Sequence, residues 1–337
     1  MKPTLDVFGS GLTHRFSVDS LSASSEEGKH DQFSVYIARG TPVGELEGMP
    51  CILTWGAGVA TQTMVGYVDT VTLMSGRDAL SGWAILGLGA TSKMRSGTAR
   101  SFRRSTPFTI AKNIVTPYRM GVLVDQYIHQ LDAFMQTSES DWATLIRLAD
   151  TIGMSLIADA TTAKLVDVRR AIGRAALRPV KHIFEPDTFT KMDTPSPIGF
   201  DTFEFTGIDR MGVQFSVKGG PEGGVKRHAA ENFSSLEEAR NAAIRWEDRQ
   251  RFMHRAMVTY TGPVLVKAGD VLRVEGETWF VAGARHTIPI GGGDQVVQIE
   301  LHRTAEKRPS TAYIPPTPSS TRRQGVWVSS QSYAVEL

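Results

Sequence analysis

The sequence predicts a mainly β protein interrupted by an α+β insertion, and three observations carry that prediction. Apolar residues alternate in twos through most of residues 1–95 and again after residue 200. Glycines and other turn residues divide these runs into short pieces, which favours a sandwich or barrel over an α/β sheet. Between about residues 98 and 168 the period changes to threes and fours, and each helical run leads into a strand.

In residues 1–95, Phe33, Val35 and Ile37 alternate with polar or small neighbours. Val65, Tyr67, Val71 and Leu73 repeat the pattern in TMVGYVDTVTLMSG, and Gly40, Gly44, Gly48, Gly56 and Gly58 punctuate the region. Residues 96–170 form the predicted helix–strand insertion. In TPFTIAKNIVTPYRMGVLVD, Thr106 is a plausible cap, Pro107 suits the first helical position, and Ile110 and Ile114 share a face. Pro117 ends that helix early and Gly121 precedes a strand. In SESDWATLIRLADTIGMSLIAD, Ser138 or Ser140 can cap, and Glu139 and Asp141 suit the positive helix end. Trp142, Leu145, Leu148, Ala149 and Ile152 line one face, and Gly153 can close the helix in the left-handed conformation. Met154, Leu156 and Ala158 then alternate with Ser155, Ile157 and Asp159. Both units end in an aspartate, Asp125 and Asp159, which suggests a repeat.

Residues 171–306 return to strands after the proline-rich LRPVKHIFEPDTFTKMDTPSPIGF. They carry one capped helix, expected at about 234–256, where Ser234 and Glu237 make a capping box and Leu236, Ala239, Ala243 and Trp246 line one face. Residues 307–337 mix prolines, serines and a few aromatics; that composition cannot bury a core alone, so an extended C-terminal arm ordering against a partner is expected.

At 337 residues the chain has room for two or three domains with their own cores. Cys51 is the only cysteine, so no internal disulfide forms, which suits assembly in a reducing cytoplasm. A net charge of +2 gives no global field for nucleic acid, although cations cluster locally. No apolar run is long enough to span a bilayer and the first residues lack a secretory pattern, so a soluble protein is expected.

Motifs for chemistry are weak. KGGPEGGVKRH, residues 218–228, has Val225 where a phosphate loop needs lysine, and Pro221 sits inside it, so it reads as a plain loop. GLGATSKM lacks the third glycine of a dinucleotide turn. Asp125, His129 and Asp132 could approach one metal on a helix, but such residues on a surface turn are common. His286 fits a satisfied structural histidine better than a catalyst, and no serine-hydrolase elbow is present. Glu185 with Asp187, or Glu237 with Glu238, could serve glycoside cleavage, with a solvated face as the default. No catalytic, cofactor or metal residue is therefore assigned. Arginines are the more informative feature. Arg95, Arg100, Arg103 and Arg104 flank the insertion on one side; Arg169, Arg170, Arg174, Arg178 and Lys181 flank it on the other. If the ends of the insertion meet, these form one basic collar for an acidic protein surface or nucleic acid, against a solvated junction as the bland reading.

The order of these units resembles the tail hub, or baseplate hub, proteins of tailed bacteriophages. That family contains the phage late control protein D and is related to the hub part of type VI secretion spikes. SDWATLIRLADTIGMSLIAD, SFRRSTPFTIAKNIV and HRAMVTYTGPVLVKAGDVLRVEGETWFVAGARHTI carry the resemblance, spread over most of residues 90–305. It implies two tail-tube-like β-barrel domains with a helix–strand insertion domain in each chain. It further implies a homotrimer forming a pseudo-sixfold ring, with no enzymatic activity and no cofactor. That ring would join the tail tube or a distal tail protein ring to a central spike or fibre, with a tape-measure protein as a further neighbour. Genomic DNA would meet the ring only in passage during ejection, and no stable membrane insertion is implied. The location would be the virion tail tip or baseplate, after assembly in the host cytoplasm. The arginines at 100, 103, 104, 169, 170 and 174, with Trp327 and Tyr333, are the candidate subunit or partner contacts. Two other classes stay open: a tail-associated cell-wall-degrading enzyme using carboxylates, and a host-glycan-binding β module using Trp327 and Tyr333.

Overall fold

Alternation in the first ninety residues becomes seven strands in the computed structural model: β1 (Thr4–Phe8), β2 (Thr13–Ser17), β3 (Ser20–Glu26), β4 (Gln32–Ala38), β5 (Pro50–Ala57), β6 (Ala60–Met74) and β7 (Gly82–Gly89). The structure describes residues 2–304 and 333–336, apart from 10, 39–42, 58–59, 75–80, 126–129, 176–179, 184, 193–201, 209–213, 220–226, 234, 238, 241, 244–252 and 292. The seven strands pair antiparallel in the order β3-β4-β7-β6-β5-β1-β2. Alternate residues face one core that holds Leu5, Val7, Phe33, Val35, Ile37, Leu53, Trp55 and Ile85. Gly87 is required by that packing, because a Cβ there would lie 2.0 Å from the Phe33 ring.

The helix–strand region follows as β8 (Arg100–Ser105), α1 (Pro107–Val115), β9 (Gly121–Val124), β10 (Leu131–Gln136), α2 (Asp141–Thr151), β11 (Ser155–Asp159), β12 (Thr162–Val166) and α3 (Val168–Ala175). Local chemistry sets its helix ends. The Thr106 hydroxyl accepts from the Thr109 amide at 3.2 Å, with Pro107 in the first turn. Ser140 Oγ accepts from the Ala143 amide at 3.1 Å, and Gly153 takes a φ of 67°. After Pro117 the left-handed residue is Arg119 at φ 56°, and Gly121 opens β9.

Further strands are β13 (Lys181–Ile183), β14 (Thr188–Met192), β15 (Thr202–Ile208), β16 (Gln214–Gly219), β17 (Arg227–Phe233), β18 (Met253–Thr261), β19 (Val271–Val274), β20 (Glu277–Ile288), β21 (Val296–Thr304) and β22 (Tyr333–Glu336). The expected helix at 234–256 is helical at 236–237, 239–240 and 242–243, but its expected end is strand. Met253 already opens β18, where Ala256 and Val258 enter a core with Leu272, Val281, Ile299 and Leu301.

Among the described residues the strands form three sheets. The largest has thirteen strands in the order β14-β18-β21-β20-β3-β4-β7-β6-β5-β1-β2, with β19 added to β20 and β13 to β19. The second runs β22-β16-β15-β17-β10-β8, and the third β11-β12-β9. Among the described residues these sheets do not close into barrels, where two tail-tube-like β-barrel domains were expected. The physical reason is visible at β3: its second edge is taken by β20, from Gly283 opposite Glu26 to Ile288 opposite Leu21, so the first ladder cannot use that edge to close.

The core around α1 and α2 contains Ile110, Ile114, Leu145, Leu148 and Leu156. It also contains Phe205, Phe233, Ala239 and Ala243, from beyond the expected boundary at residue 170. Among the described residues no helix is long and apolar enough to cross a membrane.

Candidate functional site: a three-way junction and the surfaces it holds

Three sequence-distant segments meet at the turn between β3 and β4. Gly28 adopts φ 71°, open to glycine at little cost, and uses both backbone groups across the junction. Its amide donates to the Leu156 carbonyl at 2.8 Å, and its carbonyl accepts from Trp142 Nε1 at 2.9 Å. The Glu27 amide donates to the Ala282 carbonyl at 2.7 Å. The His30 ring lies 4.8 Å from Trp142, and its Nδ1 is 2.9 Å from Thr91 Oγ1. Burial, with help from Arg95, pushes the His30 pKa down to about 4, so this imidazole is neutral at physiological pH.

Strand β11 is buried on both faces. Leu156 and Ala158 enter the helix-bearing core, while Ile157 packs with Val168, Ala268 and Phe280. At its end, Asp159 receives the ammonium groups of Lys164 and Lys267. Burial alone would raise the Asp159 pKa, but these two lysines outweigh it and hold the carboxyl below its ordinary range.

A second network fixes α2 to the second sheet. Asp141 Oδ1 accepts from Arg100 Nη1 at 2.6 Å and from Gln136 Nε2 at 2.6 Å; Oδ2 accepts from Arg100 Nη2 at 3.1 Å and from the Tyr118 hydroxyl at 2.9 Å. Arg100 Nη1 also donates to Gln136 Oε1 at 2.7 Å. Burial works to raise the Asp141 pKa, but the Arg100, Gln136 and Tyr118 hydrogen bonds hold it below the usual carboxylate range.

Arg100, expected at a surface contact, is thus spent in an internal ion pair. Arg103 and Arg104 are exposed on β8, the edge strand of the second sheet, and Arg104 takes a φ of 44°. Arg169, Arg170 and Arg174 lie on α3, which packs against β19, β20 and β21 of the largest sheet. Arg174 Nη1 pairs with Asp125 Oδ1 at 2.9 Å, while Asp125 Oδ2 accepts from the Asp167 amide at 3.2 Å. The two arginine groups therefore sit on different layers. Arg178, Trp327 and residues 220–226 lie outside the described residues; Tyr333 begins β22.

The remaining candidates have plain roles. His286 is buried, with Nε2 2.6 Å from the Val266 carbonyl and Nδ1 2.9 Å from Gln295 Nε2, and burial lowers its pKa. Glu185 and Asp187 are exposed between β13 and β14, and His129 and Glu238 lie outside the described residues. A shallow basin lined by Lys191, His254, Arg255, Glu277, Trp279 and Arg303 is cationic in composition. Two of its cations are spent on Glu277, from Lys191 at 2.8 Å and Arg303 at 3.3 Å.

Sequence reasoning missed an exposed apolar stretch on the β6–β7 hairpin. The β6–β7 hairpin carries its core-facing side past the core: Val71 pairs with buried Ile85, and the next pair on that face is Leu73 with Trp83. On that face Leu73 is 55% exposed; on the opposite face Met74 and Leu86 are 48% and 46% exposed. The available signal was apolar alternation running on through Leu73 beyond the length one core needs.

No family model matches the chain, and no curated protein matches it in sequence. Solved structures do share its fold. A tail protein from Neisseria meningitidis is similar over 90% of this chain and 97% of its own, with a TM-score of 0.65 and 16% identity. A prophage tail protein from Shewanella oneidensis gives a TM-score of 0.59 at 14% identity, covering 89% of this chain and 98% of that one. A component of the Escherichia coli type VI secretion system gives 0.56 at 12% identity, covering 94% and 84%. The chain has the mainly β fold that these tail and secretion proteins share.

Proposed function

We propose that this protein is a structural hub of a phage tail tip or baseplate, a homotrimer whose chains build a pseudo-sixfold ring. The observation that carries the reading is fold likeness to a tail protein along nearly the full length of both chains. In this reading the β1–β7 ladder and the β14-β18-β21-β20 ladder, fused through β3 and β20, are the two lobes that each chain gives to the ring. Edge strands support it, since β2 and β14 end the largest sheet and an edge strand offers unpaired backbone groups to a neighbour. The exposed β6–β7 hairpin supports it as well, as an apolar surface suited to another subunit.

The ring would join the tail tube or a distal tail protein ring to a central spike or fibre, with a tape-measure protein and passing genomic DNA inside. Arg103, Arg104, Arg169, Arg170 and Arg174 are the proposed polar contacts to these neighbours. The helix-bearing layer serves as scaffold, locked to both lobes at Gly28 and β11, and no catalysis is assigned to it. Light scattering of the purified protein across a dilution series tests the reading. A mass near three chains, or a monomer that forms threefold rings when tube protein is added, is expected. A strict monomer that ignores tube protein would overturn it and direct attention to cell-wall cleavage or glycan binding.

A further inference from the structure

The second sheet ends in a strand that arrives from far along the chain. β22 pairs parallel with β16, with Phe215 opposite Tyr333, Ser216 opposite Ala334, Val217 opposite Val335 and Lys218 opposite Glu336. Without β22, the outer edge of β16 would present a row of unpaired amides and carbonyls. The sequence of the added strand fits this edge. Phe215 and Val217 are 3% and 0% exposed in the helix-bearing core, and Tyr333 and Val335 occupy the positions opposite them in register. At the end of the ladder the Lys218 position stands opposite the Glu336 position.

A parallel neighbour cannot be supplied by a tight hairpin and needs a long connection. Residues 305–332 separate β21 from β22. At roughly 3.3 Å per extended residue such a tether reaches on the order of 90 Å, beyond the width of a domain of this size. It can therefore deliver the strand to the β16 of its own chain or of an adjacent copy. The advantage of a chain's own strand also weakens as its tether lengthens, because the effective concentration falls. Copies held side by side in a ring then compete on even terms, and exchange turns a folding contact into a bond between subunits.

We propose that the outer edge of β16 is a strand-addition site for the segment Tyr333–Glu336, and that in the assembled particle a neighbouring copy supplies the strand. The site stands on the pairing above; its occupation by a neighbour rests on the hub reading, which gathers the copies.

Single-cysteine variants distinguish the possibilities. Full-length Ser216→Cys and Ala334→Cys chains are co-expressed, purified together and oxidised mildly with oxidised glutathione; a double variant is treated in parallel. Facing Cα atoms in a strand pair lie within disulfide reach. Cys51 does not compete, because it is buried and burial pushes its thiol up to about 12. Exchange predicts a two-chain band on a non-reducing gel of the co-expressed chains, lost on adding dithiothreitol. A disulfide confined within single chains of the double variant, with no two-chain band from the co-expressed pair, overturns exchange and leaves the site. Absence of any disulfide in the double variant overturns both. Light scattering of the same sample keeps the hub reading separate: a trimeric mass without the two-chain band defeats exchange alone, and a monomeric mass defeats the hub.

Discussion

The β1–β7 ladder and the helix-bearing layer build dry cores by different routes. In the ladder every pairing is antiparallel; four join consecutive strands, while β1 with β5 and β4 with β7 join strands distant in sequence. In the layer β9 pairs parallel with β12 and β15 with β17, and one core collects residues from Met94 to Ala243. The ladder therefore draws more of its pairing from hairpins than the layer does, although both close their cores only when distant segments arrive. The two are joined by few groups, chiefly Gly28, Trp142 and Leu156, so they should behave as separable cooperative units.

The strongest way to break this comparison is to charge the layer's core. Leu145 and Leu148 are both fully buried on α2, so replacing both with aspartate should cost on the order of several kcal/mol. The layer should lose hydrogen-exchange protection while β3 to β7 keep theirs. A soluble double variant with the parent's protection throughout would refute this placement of α2. A smaller loss is expected from Asp141→Asn, which keeps the side-chain shape but leaves Arg100, 20% exposed, without its counter-ion. Removing one partner of a buried pair costs about 3 kcal/mol. Because the Asp141 pKa is depressed in the fold, its contribution is present above the unfolded value of 3.8 and fades as pH falls below it. Urea denaturation should therefore separate parent and variant at pH 7, and the gap should narrow as pH falls below 3.8.

The same contrast explains what the sequence revealed. Caps at Thr106 and Ser140 and the turn at Gly153 depend on residues within one turn, so they were legible. Helix α3 was not recognised although Val168, Ala171, Ile172 and Ala175 stand at helical spacing; it is only eight residues long, and its start rests on Asp167 Oδ1, which accepts from the Arg170 amide at 3.0 Å. The end of the expected helix at 256 failed for a related reason: a short stretch such as His254 to Val258 carries both periods, and only pairing with β21 decides between them. Arg100 was counted among surface cations. Its register partner is Gln136, and it lies two residues from Phe102, itself opposite Phe134, so the inward position was readable once β8 was recognised as a strand. The β3–β20 and β16–β22 pairings join segments too far apart for any local signal.

Gly87 tests the ladder alone. Alanine there would drive a methyl group into the Phe33 ring, and overpacking of this kind costs about 1–3 kcal/mol. Gly87→Ala should lower the melting of the ladder and leave the layer's protection intact. Adding Phe33→Leu should recover part of the loss, because the ring is the atom group in the way. No change in ladder stability would mean that the ring moves aside freely.

The smallest effect is expected where the two units touch. Asp31 is 6% exposed beside the β3–β4 turn, and its Oδ1 has no hydrogen-bond partner among the described residues. Burial pushes its pKa up to about 7; the Asp159 charge adds to the rise and Lys267 opposes it. In the unfolded chain this carboxyl releases its proton near 3.8, whereas the folded chain keeps it to about 7. Between those values the folded state holds more protons, so the contribution is fully present below about pH 4 and falls as pH rises through this window. Asparagine cannot ionise, and Asp31→Asn should flatten that part of the pH dependence and stabilise the chain at pH 8 by on the order of 1–2 kcal/mol. Denaturation midpoints at pH 5 and pH 8 measure this, and equal slopes for parent and variant would remove Asp31 from the account. Because Asp31 stands at the contact, its ionisation should loosen the ladder from the layer before it melts either. The two unfolding steps of the parent should then separate further at pH 8 than at pH 5, while those of the variant keep one spacing.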